Sequence, residues 1–269
     1  MDNKKIVKPL IISVLFIATY FPTLIWMWDR WEAKDSYYGH GILVPLISGF
    51  IVWQSLKKLK LQYKPSNLGL ILIGVGLVIH LLSAWMRVYF SSGLSMLITL
   101  AGIALYFGGK TTLKPLAFPI SFLLFMVPLP LVAIANISFK MKIFAAHMST
   151  FIVNKMGIPA VRTGSLIHMR HANLMVEDPC SGLRSLIALL ALGSLFAYYL
   201  KGSKIKKGIM LIASVPLALA SNITRIVFLC FVSEVYGPQY AKGFIHDAAG
   251  MMVFVVAFIG MVIVSRILE

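Results

Sequence analysis

Long apolar stretches recur along the whole chain, and they constrain its fold more than any other feature. A helix needs about 20 apolar residues to cross roughly 30 Å of hydrocarbon, and the sequence offers eight candidate spans. They lie at residues 7–28, 38–56, 67–86, 91–109, 114–133, 181–200, 208–231 and 245–266. Hydrophobic residues make up 59% of the chain and charged residues only 13%, whereas a soluble domain carries about 25% charged residues. The sequence therefore predicts an all-α polytopic membrane protein, with residues 1–269 in one integral-membrane domain.

The charges between the spans predict the topology. The formal net charge is +16, and the basic residues cluster in short runs rather than on a surface interleaved with aromatic residues, so we expect no nucleic-acid partner. The main runs lie at the N-terminus and in the loops around residues 57–64, 110–114 and 201–207. Cytoplasmic loops are rich in Lys and Arg, so this pattern places those loops and both termini inside. Seven of the nine acidic residues then fall on the outer side: Asp29, Glu32, Asp35, Glu177, Asp178, Glu234 and Asp247.

The stretch 134–179, which this topology places outside, has two parts. Residues 134–156 are apolar at helical spacing but are interrupted by polar residues, including Lys140, Lys142 and His147, and this is typical of a helix lying in the membrane interface. Residues 160–176 contain turn signals at Gly164-Ser165 and around Asn173, between short apolar segments. This pattern predicts a small hairpin or meander between spans five and six.

Three polar residues are predicted to share one depth near the outer face. Cys180 begins span six, Arg225 lies about two turns from the outer end of span seven, and His246 begins span eight. An arginine within a span costs about 2.5–3.5 kcal/mol on insertion scales, so Arg225 is expected to have a partner or a function, unless it snorkels to the interface. Only helix packing can bring together residues so far apart in sequence.

The segment before span six has the composition of a helix start. Asp178 suits an N-cap and Pro179 a first helical position, which would place Cys180 in the first turn. Backbone N–H groups there favour a thiolate and can hold an oxyanion, while the charges of Glu177 and Asp178 favour the thiol. A lone cysteine is more often structural, as we expect for Cys230 within an apolar run.

A nucleophilic thiolate needs a proton shuttle, and the histidine pKa suits that role. His246 faces the same side as Cys180 in the predicted topology, whereas five other histidines offer structural alternatives. His168 and His171 together with Glu177 are only a weak metal pattern. We therefore expect no metal and no cofactor.

These residues resemble the exosortase/archaeosortase family, multi-span membrane transpeptidases that process proteins bearing a C-terminal sorting signal. Three blocks resemble the family's cysteine, arginine and histidine motifs, in the same order and spacing: residues 179–185 (PCSGLRS), 222–225 (NITR) and 246–250 (HDAAG). Further similarity lies at 38–41 (YGHG), 43–46 (LVPL), 127–130 (VPLP) and 157–176. Asp178-Pro179 before the cysteine departs from the small or apolar residues expected there.

The resemblance implies that Cys180 is the nucleophile, that His246 is the general acid/base, and that Arg225 stabilises the oxyanion or positions the scissile carbonyl. From their positions, Ser181, Arg184, Asn222 and Asp247 are predicted to support the site, and Glu177 and Arg162 to contact substrate. The implied protein is a cysteine protease/transpeptidase of the inner (cytoplasmic) membrane whose site faces the extracytoplasmic side. Its implied partners are an exported protein with a C-terminal sorting signal, membrane lipid and an envelope acceptor.

Two other functions remain open from the sequence. A transporter would line a conduit with Arg225 and His246, but the inner halves of the spans are almost wholly apolar. A non-enzymatic scaffold of an exopolysaccharide or envelope assembly system would use the same residues as a structural hydrogen-bond network.

Overall fold

Helices dominate the fold, as the apolar stretches predict. The computed structural model describes residues 3–34, 36–58, 66–177, 180–241 and 243–269, with the side chains of residues 3–9, Lys58 and Asp247 outside that description. In the described residues, seven helices are long and apolar enough to cross a membrane, and an eighth apolar helix has 17 residues. The chain is therefore a multi-pass α-helical membrane protein.

Contacts divide the chain into two compact units, residues 1–129 and 130–269. The sequence predicted one domain; that prediction is neither confirmed nor contradicted by this division. The first unit contains α1 (Asn3–Glu32), a 3-10 turn (Gly39–Ile42), α2 (Leu43–Lys58), α3 (Asn67–Trp85), α4 (Tyr89–Phe122) and a second 3-10 turn (Leu123–Met126).

Buried hydroxyls and ring nitrogens join the helices of the first unit. The Tyr20 hydroxyl is 2.8 Å from Oγ1 of Thr99, and His80 Nδ1 is 2.8 Å from Oγ of Ser92. The Trp31 indole donates to the carbonyl of Met126. Such pairs satisfy polar groups that would be costly in an apolar interior.

Predicted spans four and five are the two halves of α4. The helix bends at Gly109, whose backbone is non-helical with φ 62° and ψ −166°. A positive φ favours glycine because a Cβ would clash there. The second half ends at Phe122 rather than near residue 133. Pro128 and Pro130 disfavour helical geometry in the residues before them, so Leu131 starts a new helix.

The second unit contains α5 (Leu131–Lys155), three strands, α6 (Leu183–Tyr199), α7 (Lys204–Tyr236) and α8 (Phe244–Leu268). α5 corresponds to the helix predicted to lie in the interface; at 25 residues it is also long and apolar enough to cross the membrane. Strands β1 (Ala160–Thr163), β2 (Leu166–Met169) and β3 (Asn173–Met175) form an antiparallel meander in the order β1-β2-β3. The prediction of a small hairpin or meander between spans five and six is confirmed.

The sheet is tied to the helices at two points. The side-chain amide of Asn154, near the end of α5, donates to the carbonyl of Ala160 at 2.7 Å and accepts from its N–H at 2.9 Å. At the β2–β3 turn, the Glu234 carboxylate of α7 accepts hydrogen bonds from the backbone N–H and Nδ1 of His171, at 3.0 and 2.9 Å. These contacts hold the meander against α5 and α7.

An apolar cluster fills the space under the sheet. Its members are Ala145, Ala146, Val153, Ala160, Ile167, Val176, Cys180, Ile226 and Cys230. α5, the sheet and α7 therefore share a core with Cys180, and burial of that core helps to hold the thiol in position.

Candidate active site

The approach to α6 positions Cys180. The N–H of Cys180 donates to the carbonyl of Glu177 at 3.0 Å, which closes a turn. The side-chain amide of Asn222 in α7 donates to the carbonyl of Cys180 at 3.2 Å. Gly182 follows with φ 87°, and a Cβ there would approach the Asn222 side chain to 2.8 Å. Only glycine combines this left-handed backbone with such a close approach.

The prediction that Cys180 lies in the first turn of α6 is wrong. The helix begins at Leu183, because the left-handed Gly182 interrupts the helical path. The N–H of Cys180 is engaged by Glu177, and the N–H of Leu183 donates weakly to the Ser181 hydroxyl at 3.4 Å. The N–H of Cys180 is therefore not free to hold an oxyanion. Asp178 and Pro179, the predicted N-cap and first helical residue, lie outside the described residues.

Helix packing brings Cys180, Arg225 and His246 together. The Cys180 Sγ lies 3.1 Å from Nε2 of His246. The Arg225 Nη2 lies 3.2 Å from the same nitrogen and donates to the His246 carbonyl at 3.3 Å. Arg225 is only 9% exposed and points at His246, so it does not snorkel to the interface.

The environment of Cys180 favours the thiol over the thiolate. Burial raises the pKa of the Cys180 thiol above its ordinary value, and the charge of Glu177 raises that pKa further. Arg225, and more weakly Arg184, lower it without cancelling the effect of burial. Helix N–H groups were expected to favour the thiolate; the thiol is favoured instead, because burial has the largest effect on the pKa of Cys180.

Two cavities flank the Cys180–His246 contact. One, of about 260 Å³, is bordered by Arg184, Arg225, Asn222 and Gly250 and by apolar residues of α8. The other, of about 490 Å³, lies between β3, α7 and the α7–α8 connection, and both Cys180 and Glu177 line it. A reacting group has access to the thiol from the second cavity.

Of the remaining predicted site residues, some lie beside the site and others do not. Arg184 borders the smaller cavity, and its buried Nε has no hydrogen-bond partner among the described residues. Ser181 is buried and lies beside Cys180 in the chain. Arg162 donates to the carbonyl of Gly164 at 2.6 Å within its own hairpin and lines neither cavity. The backbone of Asp247 lies in α8, but its side chain is outside the described residues.

The two histidines of the weak metal pattern are hydrogen-bonded to neighbouring side chains. His168 Nδ1 is 3.0 Å from the side-chain oxygen of Asn173, and His171 is bonded to Glu234. Within the described ranges, no three His, Cys, Asp or Glu side chains form a group that could hold a metal ion.

Three residues of the site were not predicted. Gly250 borders the smaller cavity beside Arg225, where a Cβ would make ordinary van der Waals contact with Nη2 at 3.7 Å. Ser233 lines the larger cavity with a buried hydroxyl. Glu234 anchors the sheet. Glu234 was the one with a sequence signal, as an acidic residue at the end of a span.

Comparison with known proteins identifies a family. No curated protein and no solved structure matches the chain. The family model described as transmembrane exosortase (Exosortase_EpsH) matches residues 28–263, which include most of both compact units and all three clustered side chains. That match covers most of the chain, and the protein belongs to the transmembrane exosortase family.

Proposed function

We propose that this protein is a membrane cysteine protease/transpeptidase that cleaves the C-terminal sorting signal of exported proteins and transfers them to an envelope acceptor. The observation that carries the proposal is the position of Cys180 Sγ, 3.1 Å from His246 Nε2, with Arg225 Nη2 3.2 Å from the same nitrogen. Membership of the exosortase family supports the same role.

The first half-reaction forms a thioester. His246 Nε2 takes the proton of the Cys180 thiol as Sγ attacks the scissile carbonyl carbon, which produces a tetrahedral oxyanion. Arg225 supplies the nearest positive charge to this oxyanion. The C–N bond then breaks, and the leaving amine takes the proton from Nε2. The C-terminal segment departs, and the N-terminal protein remains attached to Cys180.

The second half-reaction regenerates the enzyme. An acceptor amine, or water, attacks the thioester carbonyl and gives its proton to Nε2. The C–S bond breaks, and the thiolate recovers that proton. An amine acceptor completes a transfer, and water completes a hydrolysis. The raised pKa of Cys180 suits this cycle, because the thiol stays protonated until the imidazole removes its proton.

The distribution of charge supports a location in the cytoplasmic membrane with the site on the extracytoplasmic side. The basic runs between the spans are expected to remain inside, and the loops that carry Cys180 and His246 lie on the opposite side in that topology. An exported substrate would reach the thiol from that side while its apolar C-terminal segment remains in the membrane.

The test is co-expression with an exported protein from the same organism. The C-terminus of that protein carries a short motif, about 20 apolar residues and a basic tail. The mass of that protein is followed with wild type, Cys180→Ala and the control Cys230→Ala, which removes the other buried cysteine. We expect wild type and the control to shorten the substrate, any added mass to identify the acceptor, and Cys180→Ala to do neither. Unchanged processing by Cys180→Ala would refute the proposal and favour a scaffold role.

A further inference from the structure

The outer edge of the meander carries backbone groups that pair with nothing in the part of the chain that the structure describes. Met169 N–H donates to the Ala172 carbonyl at 2.9 Å, and Val176 N–H donates to the Ser165 carbonyl at 3.0 Å. Hydrogen-bonded residues alternate along an antiparallel strand, so Leu174 also pairs toward β2. Asn173 and Met175 consequently direct their N–H and C=O groups away from β2, toward the edge where the described sheet ends.

That edge borders the larger cavity and leads to the thiol. Asn173, Met175 and Glu177 line the cavity of about 490 Å³, which also reaches Cys180 and His246. Ile226, Leu229 and Ser233, spaced to share one face of α7, line it as well. The cavity lies in the range of about 300–1,000 Å³ typical of ligand sites. We call this cavity the β3 groove.

A buried hydroxyl faces the β3 groove. Ser233 is fully buried, and its Oγ has no hydrogen-bond partner among the residues that the structure describes. A buried polar group without a partner is costly. A ligand with a polar group at this position would satisfy it.

Contacts with α7 hold β3, the strand that borders the groove, in place. The Glu234 carboxylate holds the turn before β3 through both hydrogen bonds to His171. Leu174 packs against the cluster of Leu229, Ala241 and Ala249. A ligand strand added to this edge would therefore meet backbone groups already held in place.

From these observations we propose that the substrate binds in the β3 groove as an extended strand, paired with the backbone of Asn173 and Met175, so that its scissile carbonyl reaches Cys180. This inference rests on the proposed function and adds how the peptide is bound. Main-chain pairing at a sheet edge gives affinity for an extended peptide, while side-chain pockets such as that at Ser233 give specificity.

The positions of β3 and α7 determine the direction of the peptide. Glu234 contacts His171 just before β3, whereas Ile226, about two turns earlier in α7, packs with Cys180. β3 therefore descends along α7 toward the thiol. The part of the substrate retained as a thioester is N-terminal to the scissile bond, and the apolar part that leaves must continue along the membrane-crossing helices. The N-terminal part consequently lies beside β3 and parallel to it.

A proline at Met175 tests the backbone pairing. The backbone N–H of Met175 points away from β2. Met175→Pro therefore removes the hydrogen-bond donor to the ligand and leaves the β2–β3 hydrogen bonds in place. Met175→Ala is the matched variant, which shortens the same side chain and keeps the N–H. We expect Met175→Pro to process the co-expressed substrate about tenfold more slowly than Met175→Ala, with equal alkylation of Cys180 by iodoacetamide in the absence of substrate.

Equal processing by the two variants would overturn the pairing. This outcome differs from failure of the proposed function, in which wild type itself would not shorten the substrate or Cys180→Ala would still do so.

Disulfide trapping tests the direction and does not depend on turnover. Met175→Cys is placed in the Cys180→Ala protein, and single cysteines are placed along the substrate on both sides of the cleavage position found by mass. A disulfide needs Cα atoms within about 7 Å and strand side chains alternate in direction, so we expect trapping at one position on the N-terminal side and weaker trapping two residues from it. Trapping confined to the C-terminal side, or equal at all positions, would overturn the inference.

Discussion

The Nε2 atom of His246 has two neighbours that carry protons, the Cys180 thiol and the Arg225 guanidinium. A guanidinium has only donors. Where Arg225 donates a hydrogen bond to Nε2, that nitrogen must present its lone pair, which is the same lone pair that accepts the thiol proton. When that proton arrives, the Arg225 guanidinium can no longer donate to Nε2. The oxyanion that develops on the substrate then becomes the favourable partner of the guanidinium.

Alkylation of Cys180 by iodoacetamide should report this electrostatic balance. Burial raises the pKa of Cys180, so in a Cys230→Ala background the rate should rise with pH through a midpoint above that of an ordinary cysteine. Arg225 lowers that pKa, so Arg225→Gln should raise it further and slow alkylation roughly three- to tenfold at neutral pH. Arg266→Gln, at an exposed arginine in the last turn of α8, is the control and should not change the rate. Faster alkylation of Arg225→Gln would contradict the assignment.

Removal of the His246 imidazole should lower the rate of catalysis without unfolding the protein. His246→Ala should slow substrate processing by about 100- to 10,000-fold, the usual contribution of general acid/base catalysis. His147→Ala removes an exposed histidine of α5 and should process like wild type. The measurement is the rate at which the substrate mass falls, at matched membrane levels of each variant. A loss of less than about tenfold in His246→Ala would remove the imidazole from the proposed mechanism.

At the scale of elements, the site depends on the short connections between helices. The turn at residues 180–182 ends before α6, the meander lies between α5 and that turn, and α8 begins just before His246. The spans bring these connections together, and hydrogen bonds from α5 and α7 hold the meander in place.

Gly182 should tolerate substitution poorly. Alanine there meets both a left-handed backbone and the Asn222 side chain, so Gly182→Ala should destabilise the protein by about 2–4 kcal/mol. Gly157 has nearly the same φ, 88°, with open space around it, and Gly157→Ala should cost only about 1–2 kcal/mol. Thermal unfolding in detergent compares the two variants. Equal losses of stability would mean that contact with Asn222 has no energetic effect.

The Glu234 carboxylate should protect the meander from opening. Glu234→Ala removes both hydrogen bonds to His171, so amide hydrogen exchange in residues 166–176 should accelerate about tenfold. Glu269→Ala removes a carboxylate paired with Arg266 at the end of α8 and should leave exchange in the meander unchanged. Unchanged exchange in Glu234→Ala would show that the apolar cluster alone holds the sheet.

For the whole molecule, the charge pattern predicts which side each loop faces. Val161 is 69% exposed on the meander, and Lys201 lies in a basic connection between α6 and α7. A membrane-impermeant maleimide added to intact cells should label Val161→Cys but not Lys201→Cys, in a background without Cys180 and Cys230. Lysed cells should show labelling of both. The reverse pattern in intact cells would contradict the topology and the proposed exposure of the site.

The sequence was sufficient to predict the helical membrane fold, because each crossing helix needs its own apolar stretch and that requirement is local. It also indicated the meander through its turn residues, and it identified Cys180, Arg225 and His246 through their charge, their chemistry and the resemblance to exosortases. These properties do not require knowledge of which helix packs against which.

The contacts among those residues and the start of α6 depend on how the helices pack against one another. Asp178 and Pro179 suggest a helix start in the sequence, but the left-handed Gly182 delays it to Leu183, and that geometry is fixed by the close approach of Asn222 from another helix. The pKa of Cys180 follows from burial by elements distant in sequence. Such effects depend on packing between helices, and a pattern of apolar and polar residues along one chain does not contain the distances that set them.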